Sequence, residues 1–271
     1  MLTQRIFTAA ILIPIFLFLL FYLSPTQFLF FTALITLIGA WEWTRLMAIK
    51  KLFWRYAYVG LLAYILFSML FVFAPSVFFI AVIGWLLAMI LVLCYPASDW
   101  MSRNTVCSGF MGMFVLVPCW MAINFIRHYP QGIYILLSLF VLIWGADSIA
   151  YFVGKTWGKT KLAPQVSPGK TLQGCGGALG FSIIWAFVIL YLEQTLWHQW
   201  LSVISFALIT VVFSIVGDLF ESMFKRQVGL KDSGQLLPGH GGLLDRIDSL
   251  TAAAPVFALG VMWHFQVFPA I

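Results

Sequence analysis

Charge is what this sequence has least of. Only 9% of its 271 residues are Asp, Glu, Lys or Arg, 63% are hydrophobic, and the mean hydropathy is +1.02. So little polar surface cannot clothe a water-soluble protein of this length. A separate soluble domain is excluded as well, because no long polar segment exists to form one. Strict apolar–polar alternation is also missing: the apolar runs are long and continuous, which rules out a membrane β-barrel. What remains is an all-α polytopic integral membrane protein.

Cysteine is scarce too. Cys94, Cys107, Cys119 and Cys175 form no CxxC pair, so neither a disulfide framework nor a zinc site is implied. The first apolar run, residues 6–23, follows Arg5 but has no convincing small-x-small cleavage site after it, so it reads as an uncleaved helix. No internal repeat is visible, which argues against an inverted-repeat transporter.

Nine apolar runs follow one another, at about 6–23, 28–44, 57–73, 77–95, 107–126, 133–154, 176–196, 201–224 and 248–268. Their loops carry charge unequally. With the N-terminus cytoplasmic, the inside segments hold Arg5, Arg45, Lys50, Lys51, Arg55, Arg103, Lys155, Lys159, Lys161, Lys170, Lys225, Arg226, Lys231 and Arg246, leaving only Arg127 of the fifteen basic residues outside. So one-sided a split predicts N-in, C-out and an odd number of spans. Residues 1–130 read as an N-terminal group of about five spans. Residues 131–271 read as a catalytic region with two long cytoplasmic loops, 155–175 and 225–247.

Five of the nine acidic residues, Asp218, Glu221, Asp232, Asp245 and Asp248, fall in the stretch Gly217–Ser249, with Lys225, Arg226, Lys231 and Arg246. On a helix ending near Arg226, the residues Ser214, Asp218, Glu221, Ser222 and Lys225 share an arc of about 100°. Two carboxylates one turn apart suit a hard divalent cation, and the lysine one turn further on suits a phosphate. A buried Asp in a span costs about 2.5–3.5 kcal/mol, so it calls for a partner or a metal. The plain alternative is a helix end with an i,i+4 Glu221–Lys225 pair. A second helix is expected from near Leu243, with Asp245, Asp248 and Ser249 on one side. Carboxylates in a first helical turn are common and need mean nothing more, but here they sit at the same depth as the first pair. Between the two helices, Gly239, Gly241 and Gly242 surround His240 and allow close backbone approach to a ligand. A flexible turn with a structural histidine is the alternative.

Upstream, Asp147 lies in the sixth run beside Ala150, Tyr151 and Gly154, small neighbours that permit tight helix contact. Ser167-Pro-Gly-Lys-Thr171 follows in a basic loop. It is not a Walker A, since Pro164 stands where glycine is needed and no strand is expected before it. Ser167, Lys170 and Thr171 remain candidate phosphate contacts. In the first half, Glu42 and Arg45 read as a structural i,i+3 pair, and Trp41 and Trp43 as interfacial aromatics.

The run Ser222-x2-Lys225-Arg226-x4-Lys231-Asp232-x-Gly234-x3-Pro238-x-His240-Gly241-Gly242-x2-Asp245-Arg246-x-Asp248 resembles the signature of the phosphatidate cytidylyltransferase (CDP-diacylglycerol synthase) family at every fixed position. Asp147-x3-Tyr151-x2-Gly154 and Ser167–Thr171 resemble a second block, with Gln173 where the family often carries Glu. The resemblance covers the C-terminal half specifically. It implies cytidylyl transfer from CTP to phosphatidic acid, a Mg²⁺ requirement with room for a second cation (divalent or K⁺), and a homodimer. The short chain without extra domains suggests a bacterial inner-membrane enzyme, and the one-sided basic loops turn its site to the cytoplasm.

On that resemblance Asp218, Asp245, Asp248, Lys225 and Arg226 are the expected catalytic residues, with Glu221 added to the three aspartates as metal ligands. Asp147, Ser167, Lys170, Thr171, Ser222, Lys231, Asp232, His240, Gly241, Gly242 and Arg246 are expected to bind substrate. The rival readings are another CTP-dependent lipid kinase or nucleotidyltransferase, and a cation- or proton-coupled transporter.

Overall fold

The computed structural model describes residues 2–72, 74–194, 199–237, 239 and 241–267. The long apolar runs become helices because only a helix satisfies its own backbone where water is absent. They are α1 (Leu2–Tyr22), α2 (Pro25–Leu46), α3 (Leu52–Met69), α4 (Ala74–Leu93), the short α5 (Trp100–Arg103), α6 (Thr105–Arg127), α7 (Gly132–Trp157), α8 (Leu172–Leu192), α9 (Trp200–Gln227) and α10 (Asp248–Val267). Six of them, α3, α4, α6, α7, α8 and α9, are long and apolar enough to cross a membrane, so the chain is a multi-pass membrane protein. Their starts follow local chemistry. Ser24 caps α2 through a reciprocal box with Gln27, and Asn104 caps α6 by accepting from Val106 and Cys107 N–H.

Helix α6 is the axis of the bundle, with 67% of its most apolar stretch buried. It packs against α2 and α10, while α10 packs on α9, α8 on α7 and α9, and α4 on α9 and α10. The two halves of the chain therefore share one helical assembly. The crossing of α9 and α10 is tight at Gly217, where a Cβ would stand 2.6 Å from the Asp248 carbonyl oxygen. That closeness brings Asp218 beside the start of α10. Ala150 makes the close α7–α8 contact expected of a small residue, its carbonyl lying against Gly174.

Two expectations need correction. Loop 155–175 is not plain coil: β1 (Lys161–Ala163) and β2 (Ser167–Thr171) form an antiparallel hairpin pairing Ala163 with Ser167 and Lys161 with Thr171. Its prolines hide it from strand patterns, and a two-stranded edge tolerates them because outward N–H groups need no partner. The helix expected from Leu243 also begins later. Residues Leu244–Arg246 form a 3₁₀ turn, and α10 starts at Asp248. Asp245 thus lies on a separate turn from Asp248, because its carboxylate accepts N–H bonds from Gly242 and Ser233 and closes that turn.

Candidate active site

The hairpin, the lower end of α9 and the 3₁₀ turn converge. Three side chains hold the hairpin in place. Thr171 Oγ1 accepts from Gly174 N–H at 3.1 Å and caps α8. Gln173 Oε1 accepts from the N–H groups of Lys159 (3.1 Å) and Thr160 (3.2 Å). Arg226 Nε donates to the Val166 carbonyl at the hairpin turn, 3.1 Å away. Gln173 therefore fixes backbone, a task that needs an acceptor oxygen and no charge. Thr171, expected at the substrate, has its hydroxyl engaged in capping.

The hairpin then delivers Lys170 to α9, where its Nζ lies 2.8 Å from Asp218 Oδ2. Ser222 Oγ donates to the other Asp218 oxygen at 3.2 Å. About a quarter of each side chain in the Lys170–Asp218 pair is exposed. Partial burial works against the Lys170 ammonium, but Asp218 outweighs it, with Asp147 and Asp248 adding to the effect, so its amine is held above the ordinary lysine value.

Two turns along α9, Lys225 sits in a closed network. Its Nζ lies 3.1 Å from Glu221 Oε1 and 2.9 Å from Asp245 Oδ1, and all three side chains are buried. Asp245 also accepts from Ser233 N–H (2.9 Å to Oδ2) and Gly242 N–H (2.8 Å). Burial opposes its charge, yet Lys225 and these N–H donors hold its carboxyl below the usual carboxylate range. Among the described residues neither Glu221 oxygen has a hydrogen-bond partner of good geometry, and the Lys225 ammonium is the cation beside it.

The predicted carboxylates do come together. Asp147, Asp218 and Asp248 lie within electrostatic reach of Lys170, and Glu221, Asp245 and Asp248 within reach of Lys225. Asp147 on α7 is hydrogen-bonded by the Ser249 side chain of α10. Five carboxylates thus face two ammonium groups. Among the described residues, however, no three His, Cys, Asp or Glu side chains stand together as a metal-ligand group. The expected set of Asp218, Glu221, Asp245 and Asp248 is divided between the open pair and the closed network.

Other candidates lie further out. Lys231, Asp232 and Arg246 are exposed, and Ser167 is half-buried on β2. Gly241 and Gly242 line the turn against Asp245, and Gly241 has a positive φ of 86° that favours glycine. His240 lies outside the described residues.

Glu42 and Arg45 were missed. They form no ion pair with each other among the described residues. Glu42 instead accepts from the N–H groups of Leu243 (3.1 Å) and Leu244 (2.7 Å), and Arg45 Nη1 donates to the Ser233 carbonyl at 3.0 Å. The available signal was Glu42 itself, one of only two carboxylates, with Asp99, in residues 1–130.

Comparison with known proteins gives the chain a family. The sequence model of the cytidylyltransferase family matches residues 3–264. The chain is 44% identical to the phosphatidate cytidylyltransferase of Pseudomonas aeruginosa over 97% of both chains. It is 38% identical to the phosphatidate cytidylyltransferase of Haemophilus influenzae over 95% of this chain and 98% of the relative. Against that of Bacillus subtilis it is 34% identical over 93% and 94%. The α9–turn–α10 constellation therefore stands within a match that runs nearly end to end, and the chain belongs to the cytidylyltransferase family.

Proposed function

We propose that this protein transfers the cytidylyl group of CTP to phosphatidate, giving CDP-diacylglycerol and pyrophosphate for phospholipid synthesis. The observation that carries this reading is the near end-to-end match to proteins named for that reaction; the residues that meet around Asp218 and Asp245 supply a polar site for it.

The phosphate of phosphatidate is already an oxygen nucleophile at neutral pH, so no activated Ser or Cys is needed. One of its oxygens forms a bond to the α-phosphorus of CTP, the bond to the α–β bridging oxygen breaks, and pyrophosphate leaves. Catalysis is then positioning and charge neutralisation. Lys170, partly open beside Asp218, is the cation best placed to exchange its carboxylate for a phosphate. Exposed Lys231 and Arg246 lie on the loop that CTP would approach.

Carboxylate pairs suit Mg²⁺, which completes its shell with water and phosphate oxygens. Asp218 and Asp245 face their own lysines rather than one shared point. Asp218 with Asp248 would therefore hold the ion once a substrate phosphate takes Lys170, and Asp245, with Glu221 behind it, would join only by leaving Lys225. Bound there, Mg²⁺ would supply Lewis-acid charge neutralisation at the phosphoryl oxygens.

An apolar cleft of about 450 Å³ between α4, the hairpin, α8 and α9 is lined by Val166, Leu179, Val212, Val216 and Leu219 among others. Leu219 adjoins Asp218 in sequence, so an acyl chain lying in the cleft would bring its headgroup toward the Asp218–Lys170 pair. We read the chain as nine spans with a cytoplasmic N-terminus, in a bacterial inner membrane, with the site facing the cytoplasm and CTP. The basic loops support that orientation. A homodimer is part of the same reading.

The test uses purified protein in detergent with phosphatidate, Mg²⁺ and CTP labelled at either the α- or the γ-phosphorus. Cytidylyl transfer puts the α-label in lipid and the γ-label in pyrophosphate. A γ-label in lipid would mean a lipid kinase, and no labelled lipid from folded protein would sink the reading.

A further inference from the structure

Glu42 is 4% exposed near the end of α2, yet the partners of its carboxylate among the described residues lie about two hundred residues away. Its carboxylate accepts three bonds: from Leu243 N–H at 3.1 Å, Leu244 N–H at 2.7 Å and Ser233 Oγ at 3.2 Å. Ser233 is fully buried and tied three ways. Its hydroxyl goes to Glu42, its carbonyl accepts from Arg45 Nη1 at 3.0 Å, and its N–H donates to Asp245 at 2.9 Å. Asp245 in turn holds Lys225. An unbroken chain of charge-assisted contacts thus runs from α2 to the centre of the site.

A second observation points the same way. A Cβ at Gly234 would overlap the Glu42 carboxylate, and a Cβ at Gly242 would lie 2.6 Å from Glu42 Oε2. Two glycines of the polar loop are therefore needed to admit a side chain from the other half of the protein. The end of α2 is itself anchored. Trp43 Nε1 donates to the Ser108 carbonyl at 2.9 Å, and Arg55 donates to Thr44 Oγ1 at 2.6 Å and to the Trp41 carbonyl at 3.1 Å while stacking on the Trp41 ring.

We propose that Glu42, seconded by Arg45, is a positioning residue for the reaction: it sets the 233–245 loop, and through Ser233 and the 3₁₀ turn it sets Asp245 against Lys225. This rests on the cytidylyl-transfer reading for its kinetic consequence but not for its geometry. A glutamine at position 42 keeps the size but replaces one acceptor oxygen with an N–H₂ facing donors, so the loop must shift. A misplacement of about 1 Å costs on the order of 10²-fold in turnover.

The experiment compares full-length wild type, Glu42→Gln, Ser233→Ala and the double variant in detergent, with Glu193→Gln, an exposed carboxylate at the end of α8, as control. Expected is a fall in kcat of about 10²-fold per folded molecule for Glu42→Gln, with the KM for CTP within about threefold. Ser233→Ala should cost less and add little in the double variant, since both act through one network. The control should match wild type. Hydrogen exchange of residues 233–245 is measured in parallel and should accelerate in Glu42→Gln while α7 and α8 are unchanged. Unchanged kcat per folded molecule, or additive single and double effects, would overturn the proposal. Should wild type itself make no CDP-diacylglycerol, the exchange data decide alone: faster loop exchange upholds the positioning role, and unchanged exchange removes it.

Discussion

Two lysines meet carboxylates on the same stretch of α9, and water reaches them very differently. Lys170 and Asp218 keep 24% and 27% of their side-chain surface exposed. Lys225 and its partners Glu221 and Asp245 keep 8%, 2% and 5%. A half-open ion pair is worth little to the fold, about 0–1 kcal/mol, so a substrate phosphate can displace it at small cost. A closed one cannot be opened that way, because removing one partner strands a buried charge. The open pair therefore reads as the place where substrate exchanges with protein, and the closed network as the frame that holds Asp245 for it.

That contrast is most severely strained by removing Lys225. Lys225→Met strands Glu221 and Asp245, and we expect a loss of about 3–5 kcal/mol of stability, read as a lowered melting midpoint in detergent, with activity lost largely through unfolding. Lys170→Gln should do the reverse. Its melting midpoint should stay near wild type, while the KM for CTP rises about 10–10²-fold, the effect of losing a charge-assisted phosphate contact. Pyrophosphate release at graded CTP checks this, and a Lys170→Gln protein that melts early but binds CTP normally would erase the distinction.

The pH dependence sharpens it. Asp245 is held below the usual carboxylate range, so its contribution to stability is present above about pH 3.9 and is lost only as pH falls through its lower folded value. Lys170 is held above the ordinary lysine value, so its contribution is complete below about pH 10.4 and is lost only as pH rises through the folded value. Neither of these two groups titrates between pH 5 and pH 9 in the folded protein. A step in the wild-type melting midpoint inside that window therefore belongs to the other carboxylates near Lys170, Asp147 and Asp248, and should shift in Lys170→Gln. A step of unchanged position would show that Lys170 does not act on them. The smallest effect concerns the cleft. Val212→Trp should raise the KM for long-chain phosphatidate about tenfold while leaving a short-chain analogue nearly unchanged, measured as rates in mixed micelles.

Much of this arrangement was legible before any coordinates. Helical phase put Asp218, Glu221, Ser222 and Lys225 on one face, and the structure keeps them there, because a long apolar helix has a fixed period. The division of that face was not legible. Which carboxylate takes Lys225 depends on the Asp245 turn, and that turn is a 3₁₀ element closed by side-chain acceptance rather than by helical propensity. The hairpin escaped notice because its strands are short and carry Pro168 and Gly169. Glu42 escaped for another reason. Arg45 offered a plausible partner three residues away, whereas two of the three true partners are backbone N–H groups, which leave no mark in a sequence, and the third is the distant Ser233 hydroxyl.

The central claim is that cytidylyl transfer is centred on the open Asp218–Lys170 contact. Asp218→Asn keeps the shape and the Ser222 bond while removing the charge, so the turnover of this variant, per folded molecule and with α-labelled CTP, phosphatidate and Mg²⁺, tests it most directly. We expect a fall of about 10³-fold or more with a melting profile close to wild type. Near-normal formation of CDP-diacylglycerol by folded Asp218→Asn protein would contradict the account.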